Sequence, residues 1–174
     1  RLGSEALKDV VVFFADVGTA QKAKDYFLSL GGEKALYPML EKLAYIYSDS
    51  GRREPAQYVF KMLLENNPTA PKAFDYQYQI VSNFQSSHDQ RTYRNELYTW
   101  IDQYGPGSPW YEANKGNSKL VEDSYTLRES SLRNYALLLH KNAQNSNKKA
   151  EMTLAAQAYQ LYLTKFADSP RLTE

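Results

Sequence analysis

The chain contains no cysteine, which excludes structural disulfides, thiolate metal sites and a cysteine nucleophile. Histidine is nearly absent too. His88 and His140 stand far apart, and no His-x-x-x-His or Glu-x-x-His spacing exists to hold a metal. There is no Gly-x-Ser-x-Gly elbow and no phosphate-cradling glycine loop. Gly105-Pro106-Gly107 comes nearest to one, but its proline removes a backbone donor and reads as a helix stop. No run approaches the roughly 18 apolar residues of a membrane span, and no basic amphipathic helix suits a membrane surface. Charge of one sign is also missing. The net charge is +1, with ten Lys/Arg against ten Asp/Glu in residues 1–87 and eleven against ten in the remainder. These counts force no basic face for nucleic acid. Arg52-Arg53 and Lys148-Lys149 are isolated pairs in predicted turns, and Glu122-Asp123 reads as part of a solvated helix face. The expectation is a chain that is not an enzyme, with no cofactor, no metal, no nucleic-acid partner and no direct membrane insertion.

What remains is patterned. Hydrophobic residues make up 43% of the 174 and charged ones 24%, a composition ordinary for globular proteins. The mean hydropathy of −0.64 requires that the apolar residues be arranged rather than clustered in runs. Tyrosine is in excess, 15 against 7 phenylalanines, which suits helix pairs that bury a ring and keep a hydroxyl wet. Most informative is an internal repeat. Leu7, Val10, Val11, Phe14, Gly18, Ala23, Phe27 and Leu30 return 33 residues later as Leu40, Leu43, Ala44, Tyr47, Gly51, Ala56, Phe60 and Leu63. A period of this length marks stacked helix pairs.

The clearest unit covers 37–70. Leu40, Leu43, Ala44 and Tyr47 fall at i, i+3, i+4 and i+7, the stripe of a helix with one buried face. Ser48-Asp49-Ser50-Gly51 breaks it, with Gly51 free to take the left-handed conformation. Pro55 suits a first turn, Ala56, Phe60 and Leu63 make the second stripe, and Asn66-Asn67-Pro68 ends it. Ala44 and Ala56 mark the closest approach of the two helices. A third unit over 74–107 carries Ile80, Val81 and Phe84, then Tyr93, Leu97 and Trp100. Gln77, His88 and Tyr93 stand there at positions otherwise held by a large apolar residue, glycine and alanine. In the fourth region, 108–170, Ser108-Pro109 reads as a capped helix start. A longer stripe follows with Leu120, Leu127, Leu132, Tyr135, Ala136 and Leu139. The polar tract 142–149 reads as a separator before a last helix with Ala155, Tyr159 and Tyr162. If Leu139 and Ala155 play the parts of Tyr47 and Ala56, this hairpin has grown by seven residues, in helix or in loop.

The positions Leu40, Leu43, Ala44, Tyr47, Gly51, Ala56, Phe60, Leu63 and Pro68 resemble the tetratricopeptide repeat (TPR) signature, departing only where Leu40 replaces its first large aromatic. The copy over 4–36 departs at Val11, larger than usual, and at Gly31-Gly32-Glu33 in place of the closing proline. Leu132-Arg133-Asn134-Tyr135-Ala136 and Ala158 to Leu163 look like segments of bacterial envelope TPR proteins linked to gliding motility and outer-membrane assembly. The resemblance implies an all-α, right-handed TPR-like α-solenoid of about four helix pairs over 4–36, 37–70, 74–107 and 108–170. It also implies one array, 1–174, of a longer chain, with the cell envelope or periplasm favoured as its compartment. The start at Arg1 without a methionine and the lack of a polar cap near Glu174 point the same way.

In such an array the first helix of each pair lines the concave surface. The residues between stripe positions are then candidates for partner contact: Glu41, Tyr45 and Ser48; Tyr78, Ser82 and Gln85; and Arg133, Leu137 and His140. Tyr45 and Tyr78 are the expected anchors. A clamp for acidic chaperone tails resembles a lysine with asparagines; the chain offers Lys8, but Val12 and Tyr45 where asparagines belong. The function expected from the resemblance is a non-catalytic protein-protein interaction scaffold for a peptide or protein partner. The alternative is a structural spacer or self-association segment.

Overall fold

A computed structural model of the chain describes residues 3–172, and among these it is all-helical, with no strand. The ends of the expected 1–174 array, residues 1, 2, 173 and 174, lie outside the described residues. The helices are α1 (Ser4–Val17), α2 (Ala20–Gly31), α3 (Glu33–Asp49), α4 (Arg53–Asn66), α5 (Ala73–Gln85), α6 (Gln90–Gln103), α7 (Pro109–Asn114), α8 (Ser118–Ser146) and α9 (Lys149–Lys165). They form two compact units, Arg1–Glu96 and Leu97–Glu174, and the division falls inside α6.

In the first unit, helices adjacent in sequence pack on one another, and α1 also lies against α3. The periodic residues do this. Leu40, Leu43, Ala44 and Tyr47 of α3, with Ala56 and Phe60 of α4, are fully buried, and Leu63 nearly so. Each large side chain removed from water in this way contributes about 1.5–3 kcal/mol. Ala44 and Ala56 lie at 0% exposure, as small residues must where two helices meet closely. The two repeat glycines serve different needs. Gly51 has φ 72°, the left-handed value that closes α3. Gly18 has φ −92°, and a Cβ there would meet the Phe14 ring at 2.5 Å.

Arg52, exposed in its turn, and the half-buried Arg53 also act as staples. Arg52 donates to the Ala15 carbonyl near the end of α1 and lies over the Tyr47 ring, 4.4 Å from its centroid. Arg53 Nε donates to the Asn83 carbonyl near the end of α5 at 2.7 Å. Cations placed at helix C-termini complement the macrodipole. Two adjacent arginines thus tie α4 to the helices on either side.

The second unit is built around the hairpin of α8 and α9. Ser108 caps α7 by accepting from the Tyr111 amide at 3.1 Å, as its sequence position predicts. The tract 142–149 is not a separator: α8 runs 29 residues to Ser146, and only Asn147 and Lys148 stand between it and α9. Ala143 gives this extension a buried contact, and Asn147, at φ 54°, ends it. The seven extra residues are therefore absorbed mainly as helix. The stripe of α8 also differs from the one expected. Leu132, Tyr135 and Ala136 are buried, but Leu120, Leu127 and Leu139 are only half-buried. In one continuous helix the residues in line with Leu132 are Ser124 and Arg128, and these two are buried instead.

Candidate functional site

The candidate partner residues of α3 share one face, but their polar ends are engaged within the chain. Glu41 pairs with Lys72 at 2.7 Å, and Ser48 donates to Asn83 Oδ1 at 2.8 Å. The Tyr45 ring meets Phe60 edge-on at 5.3 Å. Burial first, then the charges of Glu41, Asp75 and Asp49, push the Tyr45 hydroxyl above its ordinary pKa, so it stays a neutral donor. These three residues bridge α3 to α4 and α5. On α5, Tyr78 and Ser82 are half-buried and Gln85 is exposed.

Arg133 and His140 belong to the second unit. Arg133 Nε lies 3.4 Å from Glu129, and His140 Nδ1 lies 3.0 Å from the Tyr159 hydroxyl. Leu137 is exposed. His140 is exposed but does not end its helix, since α8 continues to Ser146. His88 sits exposed in the connection between α5 and α6.

Sequence reasoning missed a groove between α1 and α3. It has a volume of about 710 Å³, is open along one side, and is lined by Leu7, Val11, Ala35, Pro38 and Met39 with Lys8, Lys34 and Lys42. Among the described residues the lining contains three lysines and no carboxylate. Lys42 Nζ donates to the Lys8 carbonyl at 2.9 Å, which fixes that ammonium on the rim. Lys8 pairs with Glu5 at 2.7 Å; that hydrogen bond, and then the carboxylate's charge, raise the lysine pKa. Pro38 lies inside α3, so the Lys34 carbonyl has no amide donor four residues on. Gly31 and Gly32 set the wall. Gly32, at φ 66°, is the whole joint between α2 and α3, and a Cβ on Gly31 would meet Ala35 Cβ at 2.5 Å. That one-residue joint is why α3 begins at Glu33, four residues ahead of the predicted unit. The signals available in the sequence were Pro38 within a helical stretch and lysines at 8, 34 and 42. They become a site only once α1 and α3 are known to lie together.

Two polar clusters are internal. Glu96, 8% exposed, accepts from Gln57 at 2.7 Å, Lys61 at 2.7 Å and Gln77 at 2.8 Å. This accounts for Gln77 standing where the repeat wants a large apolar residue. In the second unit, Glu129 Oε1 accepts from the Tyr162 hydroxyl at 2.6 Å and from Ser169 at 3.2 Å. Beside it Arg128, 2% exposed, donates to the Ile101 carbonyl at 3.1 Å, near the end of α6. Burial pushes the Arg128 pKa down to about 10, so it remains charged at neutral pH. The repeat pattern gives no role to Arg128 or Glu129. Their partners are side chains and carbonyls of their own unit.

Among the described residues, no three His, Asp or Glu side chains are grouped to hold a metal, and no helix is long and apolar enough to cross a membrane. No protein-family model matches the chain, and no curated protein or solved structure is significantly similar to it.

Proposed function

We propose that the chain is a non-catalytic protein-interaction scaffold of the TPR type, and that its docking surface is the groove between α1 and α3. The observation that carries this is an open apolar groove of about 710 Å³ whose aliphatic floor is ringed by lysines. Concave, mostly apolar sites with a few placed polar groups are the usual places for ligands. Tyr45, Tyr78 and their neighbours then flank the site and hold α3 against the helices beside it. The repeat positions shared by 4–36 and 37–70 support the TPR reading, and the likeness of the last region to envelope proteins supports a place in a bacterial envelope complex.

Co-purification from source cells tests the reading. Pro38 is exposed, so Pro38→Trp fills the groove without touching the core. It should abolish capture of the partner, whereas Tyr45→Ala with Tyr78→Ala should only weaken it. Capture that survives Pro38→Trp and fails with the tyrosine pair would move the site to the positions first expected from the repeat. Capture indifferent to both would end the groove proposal.

A separate observation favours the second reading, a spacer or self-association segment. Phe13 and Val17 of α1 are 65% and 66% exposed, and Leu163 of α9 is 57% exposed. Large apolar residues so exposed on one helix invite another surface. Sedimentation velocity separates the readings: a concentration-dependent rise in mass, removed by Phe13→Glu with Val17→Glu, would establish self-association.

A further inference from the structure

We infer that the groove between α1 and α3 takes a protein segment carrying bulky apolar side chains flanked by carboxylates. This rests on the docking surface proposed above and adds the chemistry of its occupant. The argument begins with charge. Lys8, Lys34 and Lys42 are the ionisable groups of the lining, and no carboxylate lines it to oppose them. The nearby acid Glu5 is spent on Lys8. Lys42 of α3 is held against the Lys8 carbonyl of α1 at one end of the groove, and the exposed Lys34 lies eight residues earlier on α3, about two turns away. A carboxylate on either side of an apolar anchor meets this arrangement, whereas a basic segment is repelled.

The floor decides between kinds of anion. Leu7 and Ala35 are the half-buried apolar surface of the groove, over the buried Val11 and Met39, and among the described residues no aromatic ring lines it to stack a base. An acyl chain would bury its length best in an enclosed cavity, but this groove is open along one side. Pro38 supplies no amide donor to the Lys34 carbonyl, and a peptide has N–H groups that such an acceptor can use, whereas an acyl chain has none. The occupant is therefore a peptide segment, with specificity set more by its charge pattern than by one side-chain shape.

The test is selection from a random-peptide phage library on the whole chain, with the Pro38→Trp protein as counter-target. The enriched peptides should place Asp or Glu on both sides of bulky apolar residues. By fluorescence anisotropy, a labelled peptide of this kind should bind about tenfold more weakly to Lys34→Glu and lose affinity as salt rises. An exposed lysine can be reversed without disturbing the fold, and unchanged helicity by circular dichroism checks this. Enriched peptides that are neutral or basic, yet lost with Pro38→Trp, would overturn the charge assignment and leave the docking surface standing. Peptides indifferent to Pro38→Trp, or no enrichment above an unrelated protein, would overturn both.

Discussion

In the hairpin of α3 and α4 the buried positions are Leu36, Met39, Leu40, Leu43, Ala44, Tyr47, Ala56, Val59, Phe60 and Leu63, all apolar or aromatic. In α8 the buried line runs Ser124, Arg128, Glu129, Leu132, Tyr135 and Ala136, so charge enters the core. Six of the eight buried polar side chains among the described residues lie in the second unit. The difference concerns what specifies each pairing. Small-to-large fit fixes the first hairpin, and it needs no particular partner beyond shape. The second depends on a few directed bonds, such as Tyr162 to Glu129, that are made in only one register. Buried polar networks of this sort are costly when partly satisfied. The two units should therefore break differently.

The largest effect is expected where a buried charge loses its partner. Glu129→Ala removes a buried carboxylate that accepts from both Tyr162 and Ser169 and lies 3.4 Å from Arg133, leaving the two hydroxyls only each other in that cluster. Removing one partner of such a buried pair costs about 3–5 kcal/mol. A chemical denaturation series on the whole chain measures it. A loss below about 1 kcal/mol would mean that water replaces the carboxylate and that the second unit is not held by this network. Next comes Ala56→Trp in the first unit. Ala56 has no exposed surface against α3, and overpacking there costs about 1–3 kcal/mol or more. An unaltered circular-dichroism melt would count against Ala56 as the point of closest approach.

The legible and illegible parts divide along the same line. Where a residue's role follows from spacing alone, as for Leu40 to Leu63, the linear pattern is sufficient, because a helix with period 3.6 has one face to bury. Local chemistry was also readable: Gly51 ends α3 and Ser108 caps α7. The length of α8 was not readable. Asn142 and Asn145 are poor helix formers beside Ala or Leu, and one buried Ala143 outweighs them only because α9 lies opposite. Arg128 and Glu129 were invisible for a related reason, since charged residues belong outside until a specific partner is in place. The groove needed still more. Leu7 and Val11 read as core stripe, yet both line the groove, and Val11 is fully buried. Val11 lies beneath the groove while the half-buried Leu7 shows part of its surface in it, and only the arrangement of α1 against α3 reveals this.

Gln77→Leu sets the repeat pattern against the structure with opposite signs. The internal repeat pattern favours a large apolar residue at this position, so pattern alone predicts stabilisation. The structure predicts a loss of about 1 kcal/mol, because Glu96, 8% exposed, would keep Lys61 and Gln57 but lose its most buried donor. Should the variant melt higher than wild type, the Glu96 network is dispensable, and the first unit is governed by shape throughout.

The smallest effect tests α6, the helix in which the units divide. Asp89 accepts from the Thr92 amide at 3.0 Å, an N-terminal cap on α6. Its hydrogen bonds to Thr92, side chain first and then backbone, hold its carboxyl below the ordinary range. A carboxyl whose folded pKa is depressed adds stability above its unfolded pKa and loses it as pH falls through the folded one. Asp89→Asn keeps an acceptor but cannot titrate. The stability difference between wild type and Asp89→Asn should therefore hold steady near neutrality and shrink once the pH drops below about 4. Melts of both proteins across that range measure it. A difference that stays constant into acid would mean that the charge of Asp89 does nothing for α6, and that the cap acts only through its geometry, as Ser108 does for α7.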